Sequence, residues 1–155
     1  MAMAVHLTLS ANGSAIEGDG VTRTGEEGSI ECTSYNWELD RPVEKDGTPS
    51  GDHIHRPISI TKYIDKTSPL LIQALLKSEE CEGHFAFYRP SPSGDGEYEQ
   101  YYTVNFEQAR IVGVSQSAAE SVGVSDPPIE IVEIAFRKVT FTFEPDGIQA
   151  ADPPA

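Results

Sequence analysis

The sequence predicts a mainly β fold, a small barrel of bent strands in two packed sheets with one short α-helix. Apolar and polar residues alternate through most segments, which is the period of strands with one covered face. Only at about residues 69–80 does the spacing change to that of a helix. Two long strands slip by one step of their alternation midway, as expected of strands that bend from one sheet into the next.

The predicted helix follows a strand at residues 58–64. Ser68 is expected to cap the helix with its hydroxyl, and Pro69 suits the first helical position, where no amide hydrogen is needed. Gly83, beyond a polar run, is expected to end it. A helix this short is marginal alone and must pack against a sheet. Its apolar stripe is formed by Leu70, Leu71, Ala74 and Leu75.

The phase slips locate the predicted bends. In residues 98–114 the alternation is interrupted near Gln108 and Arg110, which predicts a bulge or bend. In residues 129–143 the apolar phase switches at Arg137 and Lys138. Both phases of residues 30–39 carry apolar side chains, which either a strand covered on both sides or a bulge near Thr33 would explain. Such slips favour a closed or nearly closed barrel over a flat sheet.

Residues 40–52 form a long connection between strands. The stretch DRPVEKDGTPSGD holds two prolines, two glycines and six charged residues, and offers little to bury. Connections longer than a hairpin needs are commonly functional or disordered. Trp37, shortly before this stretch, is the sole tryptophan. Core packing and a subunit interface both remain open for it.

We expect one domain at residues 1–143, since about 155 residues suit a single core. Residues 144–155 contain three prolines and no periodicity, which predicts a disordered tail. The N-terminal segment has neither a basic region nor a long apolar run, so we expect no signal peptide and no membrane span. Cys32 and Cys81 are expected to be free thiols.

The formal charge of −14 argues against nucleic acid and anionic membranes as partners. His53 and His55 point the same way on a predicted strand, but a metal site needs at least a third ligand, and only His6 and His84 remain among the histidines. We therefore expect no metal and no cofactor. The sequence has no nucleophile elbow, phosphate loop or paired-histidine helix, so we expect no enzymatic activity.

The stretch ITKYIDKTSPLLIQALL at residues 60–76 resembles the hallmark of the haemolysin-coregulated protein (Hcp) family, which supplies the tube of the type VI secretion machine. Residues 28–37, GSIECTSYNW, resemble the second strand of that family. The resemblance extends from Leu7 to Phe143. Its most specific part is a helix-start motif formed by Lys62, Asp65, Ser68 and Pro69.

The resemblance implies a homohexameric ring that stacks on other rings into a hollow conduit. It implies sheath and spike proteins as partners, effector proteins in the lumen, assembly in the cytoplasm, and expulsion by sheath contraction to the extracellular space or a target cell. The family's counterpart of residues 40–52 reaches a neighbouring subunit or ring. Our candidates for ring or stack contacts are Trp37, Arg41, Glu44, Lys45, Asp46, Thr48 and Asp52.

Two alternatives remain open from the sequence. One is a ring whose main role is to bind and protect effectors as a carrier or chaperone. The other is an unrelated monomeric β-barrel, either a binding module or a metal-dependent enzyme of cupin-like kind.

Overall fold

Residues 4–18, 27–120 and 127–154 are described by a computed structural model, and they form strands, one α-helix and one 3-10 turn. Strands thus dominate this part of the chain, as predicted. The strands are β1 (Ala4–Ala11), β2 (Ser14–Ile16), β3 (Ile30–Cys32), β4 (Ser34–Asn36), β5 (Leu39–Asp40), β6 (Ile54–His55), β7 (Ile58–Tyr63), β8 (Cys81–Pro90), β9 (Tyr98–Ser117), β10 (Ile129–Ala135), β11 (Lys138–Phe143) and β12 (Ile148–Asp152); the helix α1 is Ser68–Leu76 and the 3-10 turn is Glu144–Asp146.

Strand β9 is shared by two packed sheets. Its first half pairs with β8 and β11, and its second half pairs with β10. At the junction Gln108 has a φ of 51°, and the register with β8 shifts opposite Cys81 and Gly83. The predicted bulge near Gln108 is therefore confirmed. It also reverses the covered phase, so that Ile111 is buried and Val112 exposed.

The bend predicted at Arg137 and Lys138 is confirmed as a change of sheet. Strand β10 pairs with β7 and the second half of β9, whereas β11 pairs with the first half of β9. Val132 and Ile134 face the core before the bend, and Val139 faces it afterwards. The one-residue shift in the alternation thus lets apolar side chains of both sheets face the core.

The sheets do not form a closed barrel in the described part of the chain. Strand order runs β2-β1-β8-β9-β10-β7-β4, with β3 paired to β1. Thr33 separates β3 from β4, so the ladder is interrupted where the two ends of this order approach each other. The Thr33 amide instead donates to the Thr61 carbonyl oxygen at 2.8 Å. The interruption at Thr33 favours the predicted irregularity over one continuous strand covered on both sides. Of the closed or nearly closed barrel that was predicted, the described strands do not form the closed one.

The core lies between the two sheets and under the helix. It is built from aliphatic and aromatic side chains that share the covered phase of their strands. Its completely enclosed members include Leu7, Ile30, Ile58, Phe85, Val104, Val132 and Ile134.

Helix α1 is shorter than the predicted 69–80. Thr67 occupies the cap position, and Ser68 is a buried first-turn residue, so the expected Ser68 cap is wrong. The helix ends before Ser78, whose φ of 49° turns the chain into β8. Gly83 lies in β8 and does not end the helix. A Cβ at Gly83 would lie 2.1 Å from the Thr8 carbonyl oxygen, so close strand packing requires glycine there.

Fewer residues of the predicted apolar stripe are buried than expected. Leu71 and Ala74 are buried against the sheets, and Leu75 is partly buried. Leu70 is exposed, contrary to prediction. The helix packs chiefly against β9.

The prediction of a disordered tail is wrong for most of residues 144–155. After the 3-10 turn the chain reverses at Gly147, whose φ is 64°. Strand β12 then pairs along the whole of β11 except its first residue, from Phe143↔Ile148 to Val139↔Asp152. The Thr103 hydroxyl donates to the Glu144 carboxylate and further anchors the turn. Backbone pairing to a free edge orders this segment although its side chains lack periodicity.

Candidate functional site

Residues 39–55 form an exposed ribbon that we call the arm. Strands β5 and β6 pair at its base, with Leu39 opposite His55. Farther out, the Ser50 amide donates to the Pro42 carbonyl at 2.9 Å, and Arg41 Nη1 donates to the Gly51 carbonyl at 3.1 Å. The long connection is thus a hydrogen-bonded ribbon.

The arm is closed at its tip by an Asp turn. The Thr48 amide donates to Asp46 Oδ1 at 2.9 Å, and the Glu44 amide donates to the Thr48 carbonyl oxygen at 2.7 Å. Hydrogen bonds from Thr48, first from its side chain and then from its amide, lower the pKa of Asp46. The turn therefore presents a fixed negative charge to solvent.

Apolar side chains on the arm lie open to solvent. Val43 is 60% exposed, and Leu39 and Ile54 at the base are also exposed. Apolar groups on a projecting, ordered segment provide contact area for another protein surface. The arm combines this area with charged neighbours, the composition of an interface rim.

The structure brings six of the seven predicted contact residues onto the arm and places Trp37 elsewhere. Trp37 lies just before the arm, partly buried, with its ring 4.6 Å from the Phe141 ring and stacked on His55 at 5.8 Å. It packs the base of the arm against β11. The six predicted contact residues on the arm are all exposed, namely Arg41, Glu44, Lys45, Asp46, Thr48 and Asp52. Whether they contact another subunit stays a prediction.

At the base of the arm two histidines meet one carboxylate. His53 Nε2 and His55 Nε2 each lie 2.6 Å from Asp152 Oδ2. The hydrogen bonds from His55 and His53 lower the pKa of Asp152. The expectation that these histidines have no third potential ligand is therefore wrong. Sequence reasoning missed Asp152 because it lies 97 residues beyond His55, in the segment predicted to be disordered.

An open cavity of about 680 Å³ adjoins this cluster. Trp37, Leu39 and Phe141 contribute to its apolar wall, while Asp40 and Arg41 add charge near the arm. The three clustered side chains lie on its lining, so solvent reaches them.

The helix-start motif forms a second, buried cluster. Lys62 on β7 faces the core in phase with Ile58 and Ile60. Lys62 is 1% exposed and Glu130, opposite it on β10, is 0% exposed. Lys62 Nζ lies 2.5 Å from Glu130 Oε2.

Hydrogen bonds join this ion pair to the start of α1. Ser68 Oγ donates to Glu130 Oε2 at 2.5 Å, and Gln116 Nε2 donates to Glu130 Oε1 at 3.2 Å. Lys62 Nζ also donates to Asp65 Oδ1 at 3.0 Å and to the Tyr63 carbonyl at 2.9 Å. The polar atoms are bonded to one another, which suits a structural anchor between β7, β10 and α1.

Asp65 holds the turn that precedes the helix. Burial opposes ionisation of this carboxyl, but hydrogen bonds from Thr67 and Lys62 outweigh it and lower the pKa of Asp65. The Thr67 amide donates to Asp65 Oδ1 at 2.9 Å. Pro69 follows within the first turn. Asp65 thus accepts the Thr67 amide at the start of the helix, and Ser68 Oγ accepts the Asp65 amide at 3.0 Å.

Sequence reasoning identified three members of this cluster and missed Glu130. A signal was present, since Glu130 shares the phase of Val132 and Ile134 on β10. A lone acid in a covered phase requires a buried cation, and Lys62 occupies the same kind of position on β7.

Comparison with known proteins identifies the family. Residues 8–143 match the family model described as "Type VI secretion system effector, Hcp". The chain belongs to the Hcp family. It is 32% identical over 133 residues to the major exported protein of Pseudomonas aeruginosa, covering 83% of this chain and 76% of that relative. The alternative of an unrelated β module is therefore wrong.

Solved Hcp structures share the fold. Hcp1 of the E. coli EAEC 042 pathovar, in a mutant form, is 27% identical with a TM-score of 0.85 over 97% of this Hcp protein and 98% of that chain. The secreted protein Hcp3 of Pseudomonas aeruginosa is 26% identical with a TM-score of 0.75 over 97% of each chain. Another structure described as an Hcp protein, 24% identical, gives a TM-score of 0.86 over 97% of each chain.

Helix α1 has nine residues. No helix in the described part of this Hcp chain is long and apolar enough to cross a membrane.

Proposed function

We propose that this Hcp protein is a structural subunit of the type VI secretion inner tube, not an enzyme. Six copies form a ring, and rings stack into a hollow conduit that sheath contraction expels. Assembly takes place in the cytoplasm, and the protein then leaves the cell for the extracellular space or a target cell. Family membership over residues 8–143 carries this proposal, together with the match to a relative named as an exported protein.

The fold supplies a physical reason for self-association. Strands β2 and β4 end the strand order, so their outer backbone groups lack strand partners in the described part of the chain. Free strand edges favour pairing with another chain. A closed ring lets every subunit make such head-to-tail contacts, so that no strand edge is left unpaired around the ring. A second copy of the same chain is the simplest partner that meets both edges.

The arm is our candidate for contact with the adjacent subunit or ring. Val43 supplies apolar area, and Lys45 and Asp46 at the tip supply one charge of each sign. The internal hydrogen bonds of the arm reduce the ordering entropy that a flexible loop would lose on binding. An ordered arm can therefore bind with a small interface.

Sheath and spike proteins of the machine and lumenal effectors are the remaining partners that we assign. The formal charge of −14 disfavours nucleic acid and anionic membrane in this role. Effector transport inside the ring is consistent with the family description, which names a secretion effector.

Native mass spectrometry of the purified, untagged chain tests the ring. We expect a dominant species of six times the chain mass of 16.9 kDa. A second series at twice that value at higher protein concentration would report stacked rings. A monomer at every concentration and ionic strength would overturn the proposal.

A further inference from the structure

We propose that His53, His55 and Asp152 form a binding site for a divalent transition metal of the zinc class. Two imidazole nitrogens and one carboxylate oxygen are a recurrent ligand set for Zn²⁺ and related ions. The three ligand atoms lie within 4.8 Å of one another. This inference is independent of tube assembly and extends beyond the family match, since Asp152 lies outside residues 8–143.

The spacing of the three atoms requires little adjustment to hold an ion. Zinc bound at about 2.0–2.1 Å to nitrogen and oxygen ligands keeps those ligand atoms roughly 3.3 Å apart. The two Nε2 atoms are now 2.6 Å from Asp152 Oδ2, and each would move about 0.7 Å farther from it. Rotation of the exposed His53 ring and of the Asp152 carboxylate is sufficient. The metal would replace the protons that now join these atoms.

Packing fixes the orientation of two ligands. The His55 ring stacks on Trp37 at 5.8 Å and meets the edge of Phe136 at 5.0 Å. Asp152 is placed by the pairing of β12 with β11, where it lies opposite Val139. Ligands held by rigid elements lose little entropy when they bind an ion. The third ligand, His53, contacts the His55 ring edge-on at 5.4 Å.

The site is open to solvent on the side of the cavity. His53 and Asp152 are partly exposed, so an ion can enter without unfolding. Three protein ligands leave at least one coordination position, which water would fill from the cavity. The bound ion would join β6 to β12 and thereby fix the base of the arm to the C-terminal strand.

We expect the site to bind Zn²⁺ with moderate affinity, because one nitrogen of the His55 ring has no supporting hydrogen bond. Nδ1 of His55 is buried and has no hydrogen-bond partner in the described part of the chain. Histidine ligands normally donate from their second nitrogen to an oxygen, which orients the ring and raises its basicity. Without that support the dissociation constant for Zn²⁺ should lie in the micromolar range.

Isothermal titration calorimetry with zinc chloride tests the site on the full chain, without an affinity tag and after removal of metals by chelation. We expect one Zn²⁺ per chain. The single variants His53→Gln and Asp152→Asn should weaken binding by on the order of 10-fold or more, since each removes a ligand. The matched control Asp146→Asn makes the same change at an exposed acid in the 3-10 turn and should bind as the unaltered protein does.

Nitrogen NMR of the histidine side chains decides the question in the unaltered protein, whatever the variants do to folding. Zinc should shift Nε2 of His53 and His55 and leave the ring of His84 on β8 unchanged. No heat and no shift at millimolar zinc would overturn the proposal and leave a hydrogen-bonded His-Asp-His cluster. Equal binding by the variants, or binding that leaves both imidazoles unshifted, would overturn it as well.

Discussion

Glu130 lies directly opposite Lys62 in the antiparallel pair of β10 and β7, and their charged atoms meet 2.5 Å apart within the core. Removing two charges from water costs several kcal/mol for each ion, and their attraction offsets that cost only if other hydrogen bonds are made. Here Ser68, Gln116 and Asp65 supply those bonds. We therefore expect the pair to contribute more to specificity of packing than to net stability.

Breaking this pair should be far more harmful than replacing it. Lys62→Met leaves a buried carboxylate, and we expect the free energy of unfolding to fall by about 3–5 kcal/mol. The double variant Lys62→Met with Glu130→Leu should lose less than Lys62→Met alone, because the fully buried carboxylate is removed as well and Asp65 keeps its hydrogen bonds from Thr67. Urea unfolding followed by circular dichroism measures both.

The half-exposed pair Arg89 and Glu99, 2.8 Å apart, is the control for that experiment. Glu99→Gln should change the unfolding free energy by only about 0–1 kcal/mol. Equal losses in Lys62→Met and Glu99→Gln would contradict a special role for the buried pair.

Two leucines on α1 should respond very differently to the same substitution. Leu71 is 0% exposed and Leu76 is 76% exposed. Leu71→Ala should lower the unfolding free energy by about 2–5 kcal/mol, since it removes buried methyl groups and leaves a cavity. Leu76→Ala should stay within about 0.5 kcal/mol. Thermal unfolding of the two variants measures the difference, and similar midpoints would show that the helix does not dock as described.

Charges at the tip of the arm should affect assembly and leave the subunit folded. In the double variant Lys45→Gln with Asp46→Asn, the Asn side chain keeps an acceptor for the Thr48 amide. We expect unchanged circular dichroism and a reduced population of rings or stacks in native mass spectrometry. Asp95→Asn is the control, because Asp95 makes the same turn bond to the Glu97 amide at 2.8 Å. If rings and stacks of the double variant match those of the control, the arm is not the contact.

Stacking of rings should increase with salt. A ring of six chains carries six times the formal charge of −14. Repulsion between these negative charges opposes the approach of two rings at low ionic strength. Raising salt to 0.1 M shortens the screening length to about 10 Å and should promote stacking of preformed rings. Light scattering across a sodium chloride series measures this, and constant or falling scattering would contradict it.

The thiol of Cys32 should make stability fall at alkaline pH. Burial raises the pKa of Cys32 to about 12. The thiol of an unfolded chain has a pKa of about 8.5. The stabilising contribution of the protonated Cys32 thiol is therefore complete below that pH and is lost as pH rises toward 12. In that window the free energy of unfolding should fall by up to about 1.4 kcal/mol per pH unit. Cys32→Ala should show a shallower decline in urea titrations, and identical slopes would count against it.

Local patterns predicted the strands and their bends well. The phase slips located the changes of sheet at Gln108 and Arg137. These features follow from side chains near in sequence, which share one requirement to face a core. The helix was placed correctly for the same reason, although its cap was misassigned because Ser68 bonds to the distant Glu130.

Features that depend on distant partners were not predictable in this way. Nothing near Asp152 indicates that β12 will pair with β11, or that two histidines about 100 positions earlier will meet its carboxylate. The main partner of the buried Lys62 is distant as well, since Glu130 lies 68 positions farther along the chain. The arm could be recognised as an unusual connection, but its hydrogen-bonded form depends on contacts such as Arg41 to Gly51.

Strand β12 covers one side of β11 with the chain's own backbone. A shortened chain that stopped before Ile148 would uncover amide and carbonyl groups from Val139 to Phe143, alongside aromatic and branched side chains. Such a bare ribbon is a template for fibrous aggregation. Engineers who attach passenger proteins at this end should therefore keep Asp152 and everything before it.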